Sequence, residues 1–306
     1  MKKSTVLIIF LVVAMFPGFV FAQEKEYYQP AKGKWSIGVT FNAASLGSAC
    51  SMQPKAGDMA GAYITDLASN PKQMFILSQD PVAAIRAKYY TSDKMALRMA
   101  LGLNGSLINY REYVRDDYAA NFDPDTENKV IDRVCSELNS VSFQIGMEGM
   151  KGNKVVRFTY GFDLMYAVAG GRMTFDYGNE LTDLNRVPST MPMMGKGGDL
   201  NDFEAKLGIA YGRPLERYNS GYIHGLGISV DMGIEVFVAQ QVSLGVAINF
   251  TPIMVTFQPK TYTVYEGFST NTGKVEHYNG LVSPGSNALL YGTENIGCRI
   301  SLNYYF

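Results

Sequence analysis

Eight stretches of this chain alternate apolar and other residues with a period of two. In "KWSIGVTFN" the apolar set is Trp35, Ile37, Val39 and Phe41. In "MALRMALGLN" it is Met95, Leu97, Met99, Leu101 and Leu103, and in "VSFQIGME" it is Val141, Phe143, Ile145 and Met147. "VRFTYGFDLMY", "ISVDMGIEV" and "VSLGVAINF" repeat the pattern, and "AIRAKYY" follows it through Ile85, Ala87 and Tyr89. The last stretch, "GCRISLNYYF", sets Ile296, Cys298, Ile300, Leu302, Tyr304 and Phe306 against Gly297, Arg299, Ser301, Asn303 and Tyr305. Successive side chains of a strand point to opposite faces, so each stretch reads as a strand with one apolar face. Most are near the roughly 9–11 residues that a tilted strand needs to cross a bilayer.

The N-terminus supplies the compartment. Lys2 and Lys3 precede an apolar run from Val6 to Phe16, and Val20-Phe21-Ala22 ends in the small residue that a signal peptidase reads. Residues 1–22 are therefore expected to be a secretory signal peptide, and residues 23–306 one domain. Beyond residue 22 no run of about 18 apolar residues suggests a membrane helix. Without the signal the chain carries 25 basic and 28 acidic residues, which argues against nucleic acid as a partner. Hydrophobic residues nevertheless make up 47% of the sequence, with 20 Tyr and 17 Phe. An exported chain of this kind needs a large core or a membrane.

The connections decide between a soluble sandwich and a barrel. "TSD" (91–93), "KGN" (151–153) and "AQQ" (239–241) are tight links, whereas 43–81, 107–137, 168–225 and 251–289 are long. Short turns at one end and long loops at the other are the layout of a transmembrane barrel. The expected fold is all-β, an antiparallel transmembrane β-barrel of about 8 strands, with short periplasmic turns and long extracellular loops. "FEAKLGIAYG" (203–212) also alternates. If it crosses the membrane together with "TPIMVTFQPKTYTVY", the count becomes 10.

Lipid supplies no hydrogen bonds, so the last strand must pair with the first and leave no free edge. Terminal Phe306, with Tyr304 on the same face, resembles the C-terminal signature of Gram-negative outer-membrane proteins. The whole pattern resembles small OmpA-like barrels of the Bacteroidetes type, with no peptidoglycan-binding domain expected after the barrel. The resemblance implies location in the cell outer membrane, and it makes Tyr304 and Phe306 an assembly signal for the barrel-insertion machinery. Tyr304, Tyr305, Phe306, Tyr89, Phe237 and Trp35 are expected to form the periplasmic aromatic girdle.

Parity assigns the opposite face to the lumen. It receives Arg86, Lys88, Arg98, Arg157 and Arg299, together with Glu148, Asp163, Asp231 and Glu235. An eight-strand interior is just wide enough for side chains to fill, so these charges must be paired. Arg98, Arg157 and Arg299 are expected to meet Glu148, Asp231 and Glu235. The network reads either as a structural plug or as the lining of a narrow gated pore.

Little in the sequence suggests catalysis. His224 and His277 stand in or beside long loops, outside any triad pattern. Asp123, Asp125 and Glu127 alternate in "FDPDTEN", but no Gly follows at the sharp-turn position of a calcium loop, and an ordinary acidic loop is favoured. No cofactor is expected. Cys50 and Cys135 fall in expected loops on one side and are candidates for a disulfide, while Cys298 reads as a small apolar side chain. The long Tyr-, Asn- and Gly-rich loops are the remaining place for function. The expected role is non-enzymatic: a structural or interaction protein whose loops bind a partner protein, a larger outer-membrane complex or a surface ligand, with a narrow solute pore as the alternative.

Overall fold

The computed structural model describes residues 31–42, 83–191, 209–219, 222–293 and 296–306. The expected signal peptide, residues 1–22, lies outside them. Twelve strands follow one another: β1 (Trp35–Asn42), β2 (Ala83–Ser92), β3 (Met95–Arg115), β4 (Lys129–Gly152), β5 (Val156–Asp176), β6 (Ile209–Asn219), β7 (Ile223–Ala239), β8 (Val242–Gln258), β9 (Thr261–Ser269), β10 (Lys274–Ser283), β11 (Ser286–Tyr291) and β12 (Ile296–Tyr305). Among the described residues one short helix, α1 (Asp117–Phe122), joins β3 to β4. Asp116 caps it, accepting a 2.9 Å hydrogen bond from the Ala119 amide.

Eight of these strands close a ring. β1 pairs antiparallel with β2 on one side and with β12 on the other. The circuit runs on through β3, β4, β5, β7 and β8 and returns to β12. Backbone hydrogen bonds from Trp35 N to Phe306 O (3.2 Å) and from Phe306 N to Trp35 O (3.0 Å) fasten the closure. Closure pairs the edges that a membrane would leave unsatisfied. The links 93–94, 153–155 and 240–241 are tight and lie at the same end as both termini of the ring.

The wall alternates along every strand. On β5, Phe162 is 55% exposed and its neighbour Asp163 is 2% exposed. Val156, Phe158, Tyr160, Leu164 and Tyr166 also face outward, as do Ile37, Val39, Ile85, Leu101, Phe143, Ile145, Ile228, Val230, Met232 and Leu302 on the other strands. This outward apolar belt with a polar, filled interior is the inverse of a soluble domain and suits lipid as the surrounding solvent. At the tight-turn end Trp35 and Tyr89 lie 4.8 Å apart, and Tyr304 stacks with Phe306 at 6.4 Å.

Two members expected in that girdle are elsewhere. Tyr305 and Phe237 are buried inside the ring with Tyr90, Ala96 and Met150. The reason is parity: Tyr305 pairs opposite inward-facing Ser36, and Phe237 follows outward-facing Val236. They floor the lumen at the tight-turn end.

The long links are also mostly strand. β3, β4 and β5 run for 21, 24 and 21 residues, well beyond the belt. Outward-facing charges mark where the belt ends: Arg172 Nε donates to Glu137 Oε2 at 3.0 Å, and Arg133 stands 3.8 Å from Asp176. Beyond it, β6 pairs with the tip of β5 and with β9, β9 and β10 form a hairpin, and β11 pairs with the far half of β8. The part of "FEAKLGIAYG" that is described, from Ile209 on, belongs to β6 and stays outside the eight-strand ring, as does the β9 part of "TPIMVTFQPKTYTVY". The ten-strand alternative fails because Gln240 and Gln241 form a tight turn directly joining two ring strands, β7 and β8.

Candidate functional site: the filled lumen and the platform beyond the belt

Two features stand apart from the wall, a charge cluster inside the ring and a folded extension above it. In the cluster, Arg98 on β3 is 1% exposed and touches three carboxylates. Its Nε and Nη2 donate to Asp163 Oδ1 and Oδ2 at 2.6 and 2.7 Å. Its Nη1 reaches Glu148 Oε2 at 3.0 Å and Asp231 Oδ2 at 2.9 Å, and Nη2 also bonds Asp231 Oδ1. Lys88 Nζ donates to Glu148 Oε1 at 2.6 Å and to Glu235 Oε2 at 3.4 Å. Glu235 is held further by Ser243 Oγ, by the Tyr305 hydroxyl and by Asn303 Nδ2 at 2.8 Å. Every oxygen of Glu148, Asp163 and Asp231 thus meets a cation, and low-dielectric surroundings strengthen such pairs when they are complete.

All nine charges assigned to the lumen by parity are buried, and Arg98 meets Glu148 and Asp231 as expected, but the other pairings differ. Asp163 is a principal partner of Arg98, and Glu235 belongs to Lys88. Arg157 lies with its guanidinium 4.7 Å from the Phe237 ring, and Arg299 Nη1 donates to Gln144 Oε1 at 3.5 Å. The register explains this. Arg98, Gly146 and Asp163 stand in one cross-strand row of β3, β4 and β5, and Glu148, Gly161 and Asp231 stand in the next row of β4, β5 and β7.

Two glycines that the sequence did not single out make this possible. A methyl group at Gly161 would come within 2.9 Å of Arg98 Cζ and 2.5 Å of the Met147 carbonyl. At Gly146 it would come within 2.4 Å of Asp163 Oδ1 and 1.9 Å of the Phe162 carbonyl. The signal available in the sequence was a Gly at an inward-facing position beside charged inward positions on neighbouring strands.

Above the belt, residues 177–191 are stitched onto the β3–α1–β4 tip. Asp132, with no exposed surface, accepts from the amides of Gly178 (2.8 Å) and Met191 (3.0 Å). Asp117 Oδ2 accepts from Ser189 N at 2.7 Å and Asn185 Nδ2 at 2.9 Å. Asp117 is partly buried, which opposes ionisation, but these hydrogen bonds outweigh the burial and hold its carboxyl below its ordinary value. Asn179 Nδ2 donates to the carbonyls of Arg115 (2.8 Å) and Ser189 (3.0 Å). Arg213 on β6 completes the frame: its guanidinium lies 4.0 Å from the Tyr177 ring and donates to Glu266 Oε1 at 2.7 Å and to the Asn179 carbonyl at 2.8 Å. Beneath these contacts Val114, Val134, Met173, Phe175 and Met191 pack as a separate apolar core. Of the methionines in "STMPMMGKGG", only Met191 is among the described residues.

The remaining candidates are not brought together. His224 Nδ1 lies 2.8 Å from the Tyr166 hydroxyl on the outer wall, and His277 on β10 lies 3.9 Å from Glu266. Asp123 accepts from the Asp125 amide in an ordinary turn, and the described residues contain no grouping of metal ligands. Cys135 carries a free thiol on β4, and Cys50, its proposed disulfide partner, lies outside the described residues.

No family model matches the chain, and no curated protein does. Among solved structures, the chain is similar to the outer membrane protein OprG of Pseudomonas aeruginosa, with a TM-score of 0.32 and 10% identity over 91% of this chain and 99% of that one. The outer membrane protein AlkL, solved in lipid bilayers, gives a TM-score of 0.32 and 10% identity over 93% of this chain and 94% of that one. Ail, the attachment invasion locus protein of Yersinia pestis, gives 0.28 and 6% over 90% and 99%. Likeness at this level transfers no residue roles.

Proposed function

We propose that this chain is a non-enzymatic outer-membrane barrel whose interior is a structural plug and whose platform is an interaction surface. The observation that carries this reading is the division of labour along the barrel axis. The lumen is filled by the Arg98 cluster and floored by Tyr90, Phe237 and Tyr305, while β3, β4 and β5 continue past the belt into a platform with its own core. Buried charges leave no continuous apolar or aqueous path through so narrow a ring. A platform tied by Asp117, Asp132, Asn179 and Arg213 is preorganised, which lowers the entropic cost of binding a partner protein, a larger outer-membrane complex or a surface ligand. On this reading the tight turns lie in the periplasm and the platform outside the cell. The test pairs one measurement on the purified full chain with one on intact cells. Planar-bilayer recording is expected to be silent, and cross-linking on intact cells from cysteines placed on the platform is expected to capture a stoichiometric companion. Large steady channels would replace this reading with the pore.

A further inference from the structure

The lumen charges are unevenly distributed. Among the described residues of the ring, five cations face four carboxylates. Glu148, Asp163, Asp231 and Glu235 are all engaged around Lys88 and Arg98. Arg86, 5% exposed, makes no ion pair among the described residues, and its Nε has no hydrogen-bond partner. Its cross-strand neighbours, Gly38 and Ala100, offer no polar side-chain group. Arg98 and Arg299 add like charge beside it, while Glu148 and Asp163 act on it only from a distance, each already ion-paired to Arg98 or Lys88. Gln144 stands in the same row as Arg86, across Ala100, and its Oε1 accepts from Arg299, which draws the second guanidinium toward the first. Asn249 is 1% exposed with an unpartnered Oδ1, and it lies two residues along β8 from Ala247, the residue opposite Arg299. A half-turn of that amide presents its NH2 instead.

A buried guanidinium without a direct ion pair is costly, and a buried polar group without a partner adds to the cost. One negative charge would cancel the excess of one cation. We propose that the ring holds a monovalent inorganic anion of chloride's size between Arg86 and Arg299, with the Asn249 amide as a further donor. A multiply charged anion would overshoot the balance and demand more room than an eight-strand interior offers. The site is independent of whether the platform binds a partner. Because Tyr90, Phe237 and Tyr305 close the tight-turn end, the anion exchanges through the opposite end.

The experiment compares chloride with gluconate, an anion too large for the site, at constant ionic strength. The full-length barrel in detergent is expected to unfold at a midpoint that rises saturably with chloride. Crystals grown in bromide are expected to show an anomalous peak within about 3.5 Å of Arg86 Nε, hydrogen-bonding reach for a large anion. Arg86→Gln should raise the half-saturating chloride concentration by about tenfold or more, the effect of losing one charge-assisted hydrogen bond. If Arg86→Gln does not assemble, Asn249→Asp serves instead, since it supplies the missing charge internally. It should match the chloride-bound wild type in gluconate and no longer respond to chloride. A wild-type midpoint that is the same in both salts, or a bromide-soaked lumen with no anomalous peak, overturns the proposal.

Discussion

Arg98 and Asp163 meet through two parallel hydrogen bonds, Nε to Oδ1 and Nη2 to Oδ2, at 2.6 and 2.7 Å. Only the planar fork of arginine makes this contact. Arg98→Lys should therefore behave as a loss, not a conservative change. Arg98→Leu, which also leaves Asp231 and Glu148 short of a partner, should cost about 3–5 kcal/mol. Urea unfolding in detergent, followed by loss of heat-modifiable migration, measures both, and a double-mutant cycle with Asp163→Asn isolates the pair. Wild-type stability in Arg98→Leu would show that the cluster is not the plug described here.

The glycines test the same cluster without touching a charge. Gly161→Ala places a methyl group within 2.5 Å of the Met147 carbonyl and 2.9 Å of the Arg98 guanidinium, so the strand pairing and the arginine must both give way. The expected loss is about 1–3 kcal/mol, the usual cost of overpacking. Gly33→Ala, where a methyl group meets nothing within 4 Å but φ is +87°, controls for backbone strain alone. Equal losses from the two substitutions would remove the packing explanation.

The floor and the Arg98 cluster should seal the lumen in series. Tyr305 and Phe237 stand 5.0 Å apart between centroids, and Arg157 covers Phe237. Replacing Tyr305 and Phe237 together with Ala should leave an opening at the tight-turn end and lower the thermal midpoint. Conductance in planar bilayers should still be small, because the Arg98 cluster remains above. Wild-type-like silence and wild-type stability together would place the seal elsewhere.

At the terminus, Tyr304 and Phe306 face outward and stack, whereas Tyr305 between them points inward. Tyr304→Ser with Phe306→Ser should lower barrel assembly while leaving export intact. Tyr305→Phe, which removes only the hydroxyl on Glu235, should assemble normally and show a stability defect instead. Quantifying membrane-assembled and periplasmic pools of each variant separates the two effects. Normal assembly of the outward-face variant would mean these two residues are not the insertion signal.

The platform should loosen in acid before the barrel does. Asp117 has its carboxyl held below its ordinary value of 3.8, so the stability it contributes is fully present above that value. It is lost as pH falls through the lower, folded-state value. Protection from hydrogen exchange at residues 177–191, taken relative to the intrinsic rate at each pH, should fall below about pH 4 while ring amides stay protected. Asp117→Asn should show the faster exchange already at neutral pH. Protection at residues 177–191 that stays constant with pH across this range would show that Asp117 does not hold the segment.

The sequence by itself determined the ring. Eight period-two stretches, three tight links and a terminal aromatic strand specify which segments span and which faces meet lipid, because side-chain direction in a strand follows from position alone. That is why the nine lumen charges were legible as inward-facing, and also why placing Tyr305 and Phe237 outward contradicted their own parity. Which strands lie side by side at each height came from the fold, because it depends on register. Register put Asp163 beside Glu148 and Asp231 against Arg98, set Gly146 and Gly161 where the cluster needs room, and left Arg86 without an ion pair. The platform was equally hidden. Its strands lack the apolar outer face that lipid imposes, and Asp117, Asp132, Asn179 and Arg213 hold it by contacts across long stretches of chain that no local pattern records.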